Sequence, residues 1–144
     1  MNARNVLLWL HIVAAMVTMG PLIMFDVAGP IAIRSGNTTA VRFLESIAKA
    51  LGPMTMLIPV LGLALVAEGG YEIGDRWIIA ALVIYAVMVA NGIGVLGKAI
   101  GRAADRLDAG EQPTAELSRL YLFGAVNIGL FLVILWLMVT KPGM

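Results

Sequence analysis

The sequence predicts an all-α fold: an integral membrane four-helix bundle, with an amphipathic interfacial helix ahead of the second membrane-crossing helix. Three observations carry this. Of 144 residues, 60% are hydrophobic and 13% charged, with a mean hydropathy of +0.93; a soluble domain carries roughly 25% charged residues. No formal charge stands between Arg4 and Asp26, and a helix rising ~1.5 Å per residue crosses a ~30 Å hydrocarbon layer within such a gap. Three further apolar runs follow, so a single transmembrane domain over 1–144 is expected.

The first helix is expected over about 5–33. Pro21 and Pro30 each lack a backbone donor, which predicts a kink near Met19–Pro21 and an end near Gly29–Pro30. Trp9 sits where an interfacial anchor belongs. The apolar run is longer than the 7–15 residues usual for a signal peptide, and no small-x-small cleavage site precedes the polar loop. Ser35 to Thr39 are turn formers.

Residues 39–50 read as the interfacial helix. Val41, Leu44, Ile47, Ala48 and Leu51 recur at helical spacing, with Arg42, Glu45 and Lys49 on the other side. Such a helix lies at the membrane surface as an elbow; a partner-docking role is the alternative. The second helix is short, about 51–67, and is interrupted by Pro53 and Pro59. The glycine-rich acidic stretch from Glu68 to Arg76 reads as a tight turn, too poor in spaced ligands for a calcium loop.

The third helix is expected over about 76–97, extending as a polar helix to about 109. It contains Ala90-x-x-x-Gly94 and Gly97-x-x-x-Gly101, spacings that let two backbones approach closely. Gly110 ends it. The fourth runs over about 114–140, with Ala125-x-x-x-Gly129 as a second notch, and Lys141-Pro142-Gly143 stops it. Internal packing is the expected use of these notches, with an external partner face as the alternative.

Arg34, Arg42, Lys49, Lys98, Arg102, Arg106 and Arg119 fall at one end of the expected bundle, against Arg4, Arg76 and Lys141 at the other. The positive-inside rule then places both termini outside the cytoplasm in a bacterial inner membrane. A net charge of +1 and the absence of a dense basic run exclude nucleic acid as a partner. With no cysteine and one histidine, thiolate sites and multi-histidine metal sites within one chain are excluded.

Counting depth along the helices brings Thr18, Thr55, Asn91 and Asn127 to a similar level, one on each helix. Hydrocarbon offers an amide no partner, so interhelical hydrogen bonding is the expected role, and a substrate or ion path the alternative. Asp26, near the basic end, is expected to pair with Arg34, Arg102 or Arg106; a proton relay or partner contact is the sharper reading. His11 falls at the depth of Tyr85 and is expected to share a hydrogen bond with it. Ligation of a cofactor by His11 is the alternative, with no second histidine to complete a haem sandwich.

Trp9-Leu10-His11-Ile12, Gly20 and Arg34 resemble the first helix of a group of small bacterial membrane proteins. The group comprises HemJ-type protoporphyrinogen oxidases, CopD-like copper-resistance proteins and uncharacterised four-helix membrane proteins. Gly52-Pro53-Met54 with Gly62-Leu63, Arg76-Trp77 and Thr140-Lys141-Pro142 are similar to the oxidases' second helix, third-helix start and tail. The resemblance implies that His11 matches their first-helix histidine. Their third-helix lysine falls on about Ala81, and their further histidines fall around Tyr85 to Asn91. Alanine neither ligates nor transfers a proton, so the scaffold is similar while the oxidase chemistry is missing. The expected function is a non-catalytic accessory subunit of a larger membrane complex, without cofactor. Its partners are other integral membrane subunits and lipid, in a complex that moves lipid or other hydrophobic cargo. A haem- or porphyrin-binding redox protein using His11 is the alternative.

Overall fold

The computed structural model describes residues 2–142 and is all-helical over them. Among the described residues, four helical rods are long and apolar enough to cross a membrane: Ala3–Arg34, Thr38–Gly69, Arg76–Asp108 and Thr114–Thr140. The first and last are single helices, α1 (Ala3–Arg34) and α6 (Thr114–Thr140). The second joins α2 (Thr38–Leu51), a 3₁₀ turn (Pro53–Met56) and α3 (Leu57–Gly69). The third joins α4 (Arg76–Asn91), a π-helical segment (Gly92–Gly97) and α5 (Lys98–Asp108). Thirty-two residues at ~1.5 Å each make α1 about 48 Å long, so its ends project beyond a ~30 Å hydrocarbon core.

Helix α1 continues through both prolines and ends at Arg34, past the expected stop at Gly29–Pro30. Pro30 leaves the Asp26 carbonyl without its intrahelical donor. Close packing of α6 supports the helix there: a Cβ on Gly124 would lie 3.2 Å from Asp26 Cβ and 3.4 Å from its carbonyl oxygen. The helix stops where Gly36 takes φ +64°, and the amides of Ser35, Gly36 and Asn37 close onto its last carbonyls.

Helix α2 is amphipathic as expected, but its apolar side does not need lipid. Val41 and Leu44 pack with Ile33, Ala103, Ala104 and Leu120 in one buried cluster. The expected elbow packs its apolar face on α1 and α5 and leads through the 3₁₀ turn into the second crossing. Helix α5 answers it with Ala99, Ile100, Ala103 and Ala104 buried. Between them the polar sides meet: Arg42 contacts Asp105 at 2.7 Å and Asp108 at 2.6 Å.

Around the bundle α3 packs on α1, α1 on α6, and α6 on α4. Helices α3 and α4 make little contact with each other, so the ring is loose along one side. The end carrying the loop between α3 and α4 is tied by Lys141. Its left-handed backbone, φ 41°, caps α6, and its Nζ donates to Tyr71 Oη at 2.7 Å over the Tyr71 and Trp77 rings. Gly143, expected in the helix stop, lies outside the described residues.

Candidate functional site

The six-residue π segment, Gly-Ile-Gly-Val-Leu-Gly, widens the third rod just below Asn91. One of its three glycines, Gly97, is closely packed within the wide turn. A Cβ on Gly97 would sit 3.3 Å from the Gly92 carbonyl five residues back, closer than most side chains are tolerated. Single π turns recur at functional sites because they displace the side chains around them.

Beside this segment a cavity of about 710 Å³ opens on the loose side of the bundle. Its walls are mostly apolar: Met19, Leu22 and Phe25 from α1, Pro53 and Met56 from the 3₁₀ turn, and Met88, Ile93 and Leu96 from the third rod. Gly92 and Gly97 supply bare backbone. Toward the α2–α5 end its rim is charged, with Glu45, Lys49, Lys98, Arg102 and Asp105. Deeper in, Asp26 and Asn127 face the same space, with Thr55. A pocket of this size, greasy along its length with convergent polar groups at one end, has the form of a small-molecule site.

Asp26 is half-buried, and its Oδ2 accepts from Asn127 Nδ2 at 3.2 Å. The expected arginine pairing is not made. Arg34 instead donates to Tyr121 Oη at 3.1 Å, and Arg106 contacts Glu111 and Glu116. Arg102 reaches the cavity rim but makes no ion pair with Asp26 within 4.0 Å among the described residues. Helix phase explains this: Asn127 follows Glu116, Leu120 and Gly124 on the buried stripe of α6, which faces α1. Asn127 Oδ1 is buried without a partner among the described residues, so an acceptor is left over beside the carboxylate.

The four polar residues expected at one depth divide into two kinds. Thr18 and Thr55 bond back within their own rods, to the carbonyls of Ala14 and Gly52, both at 2.6 Å. The asparagines bridge helices: Asn127 reaches Asp26, and Asn91 Nδ2 donates to the Phe123 carbonyl at 3.0 Å. They do not bond each other. Tyr85 does not meet His11. Its hydroxyl donates at 2.6 Å to the Thr55 carbonyl, which Pro59, lacking an N–H, leaves without its i+4 helical donor. His11 packs on α3, where a Cβ on Gly62 would fall 3.2 Å from its Cε1, and its buried Nδ1 has no partner among the described residues.

The expected small-residue notches are used unevenly. Gly101 takes the Glu45 carboxylate against α5, with Oε1 3.2 Å from a notional Cβ. Gly97 belongs to the π turn. Gly94 and Gly129 have nothing within 4 Å of a notional Cβ, and Ala90 and Ala125 are exposed. Internal packing of α6 falls to Gly124, one residue before the predicted notch, because the buried stripe passes through 120, 124 and 127. Sequence reasoning also missed Glu45, Lys49, Arg102 and Asp105 as rim residues. Their spacing within each helix is legible, but the packing of α2 on α5 that gathers them is not.

A family model described as "Predicted integral membrane protein (DUF2269)" matches residues 5–142. No curated protein and no solved structure matches the chain.

Proposed function

The chain belongs to the DUF2269 family of predicted integral membrane proteins, and from that premise we propose that it is a non-catalytic subunit of a larger membrane complex, sheltering a lipid-like amphiphile beside the π segment. The lateral cavity carries this reading. Its apolar length suits an acyl chain or comparable hydrophobic tail, and Asp26 with the unpartnered Asn127 Oδ1 offers acceptors to a hydrogen-bonding head. The complex is one that moves lipid or other hydrophobic cargo in a bacterial inner membrane, with both termini outside the cytoplasm. The charge distribution between the two ends supports that orientation. Docking in a complex is supported by the open notch at Ala125 and Gly129, a surface that admits another helix to close approach.

Affinity purification from native membranes is expected to recover the chain with other subunits in fixed ratio, and Gly129→Leu to release them while leaving the chain folded. Recovery of the wild type only alone, as a monomer or homodimer, contradicts the subunit reading.

A second reading rests on the orphaned Nδ1 of His11: an axial ligand for haem. It uses different residues, since His11 packs on Gly62 and is not among the residues lining the cavity. Protein from haem-replete cells would then show a Soret band that His11→Ala removes. A colourless preparation ends that reading.

A further inference from the structure

Seven basic residues fall at the α2–α5 end, and four of them are occupied. Arg42 and Lys49 contact Glu45, Arg106 contacts Glu111 and Glu116, and Arg34 meets Tyr121. The other three, Lys98, Arg102 and Arg119, have no acidic partner within 4.0 Å among the described residues. These same three converge on a second cavity, of about 440 Å³, on the opposite side of the π segment between the third rod and α6. Its remaining walls are Gly94, Val95 and Phe123, and among the described residues no carboxylate lines it.

Three like charges gathered without a counterion repel one another, and an anion placed among them relieves this. Arginine and lysine together suit phosphate, the guanidinium through paired N–H donors and the ammonium as a point charge. Basic pockets between membrane helices at the positively charged end are where phospholipid head groups dock. The apolar half of the wall separates a lipid from free phosphate: Val95 and Phe123 present hydrocarbon beside the charges. Leu122, next to Phe123 on α6, is an exposed apolar side chain. Gly94 keeps the space open, with nothing within 4 Å of a notional Cβ.

We infer that Lys98, Arg102 and Arg119, set around the void at Gly94, bind the phosphate of an anionic membrane phospholipid. This site shares Lys98 and Arg102 with the rim of the amphiphile cavity but is otherwise built from different residues. Arg119, Gly94 and Phe123 line only the second cavity, while Asp26, Gly92 and Ile93 line only the first, so substitutions at these unshared residues test each site without the other.

The test uses the full chain in detergent, incubated in turn with phosphatidylglycerol, phosphatidylcholine of the same acyl chains, and inorganic phosphate, and read by native mass spectrometry. One phosphatidylglycerol is expected to stay bound at least fivefold more often than phosphatidylcholine. Arg119→Gln should reduce its retention about fivefold, the scale of one basic side chain near an anionic head group. Gly94→Phe should abolish it by filling the void, and Arg76→Gln at the other end should change nothing. Equal retention of the two lipids overturns the inference, as does full retention by Arg119→Gln and Gly94→Phe. Inorganic phosphate displacing the lipid at equal concentration overturns the lipid as the occupant.

Discussion

At the α2–α5 end, Ala103, Ala104 and Leu120 are wholly buried, and charged side chains pair across the surface above them. At the other end the best-buried apolar side chains, such as Trp77 and Ile78, form a small cluster, while Trp9, Leu132 and Trp136 are largely exposed. The first region is put together like a soluble helical domain, with apolar faces turned inward and polar faces out. The second relies on lipid to cover its apolar surface and needs only thin internal contacts to hold its helices. Both cavities sit at the join, where the π segment separates them. One chain thus combines a rigid frame with a region open to the bilayer, and the polar groups of the candidate site fall at the boundary.

The comparison breaks most sharply at paired substitutions on α6. Leu120→Ala is expected to destabilise by about 2–5 kcal/mol, the usual loss for emptying a packed core position. Leu132→Ala, at a side chain 59% exposed, should change stability by less than about 0.5 kcal/mol. Thermal denaturation in a mild detergent reads both, and equal losses would erase the distinction between the two ends. Next in size is Gly124→Val, which presses side-chain atoms against the Asp26 backbone and should cost about 1–3 kcal/mol by overpacking. Gly129→Val, with open space around it, should be near neutral in the isolated chain.

Tyr85→Phe tests whether the loose side has real internal support. It removes the side-chain bond from the third rod to the Thr55 carbonyl and should cost about 1 kcal/mol, the scale of a hydrogen bond between membrane helices. The smallest effect belongs to the clamp at the termini. Lys141 donates to the Tyr71 hydroxyl and holds its pKa below the usual tyrosine value of ~10. A folded-state value below the unfolded one adds stability above the unfolded pKa. That gain is lost as pH falls through the lowered value, so it is silent near pH 7. Ultraviolet titration should find one tyrosine ionising early, and Lys141→Met should return it to the ordinary range without a change in melting at neutral pH.

Much of the frame was legible because lipid imposes simple rules. Charge-free runs of sufficient length gave four crossings, and the predicted span 114–140 coincides with α6. The polar extension past Leu96 is present as α5, because its apolar and charged residues keep helical period. The site was less legible for reasons of phase and partnership. Asp26 was singled out as a buried charge, but its meeting with Asn127 depends on how α6 rotates, and a rotation of one residue separates Gly124 from Ala125. The three glycines of the π segment are visible in sequence. That Gly97 sits against the Gly92 carbonyl, and that Gly92 and Gly94 border different cavities, depends on packing against α2 and α6, which no local pattern records.

The most direct test of the account is lipid occupancy in the first cavity, measured by native mass spectrometry of wild type and Gly92→Phe released gently from membranes. Gly92 lines that cavity with nothing within 4 Å of a notional Cβ, so the new ring enters the void without striking a neighbouring backbone. Wild-type protein should carry a bound amphiphile that Gly92→Phe lacks, with the rest of the spectrum and the melting temperature preserved. An identical complement of bound amphiphile in both proteins, or none in either, would contradict the assignment of that cavity.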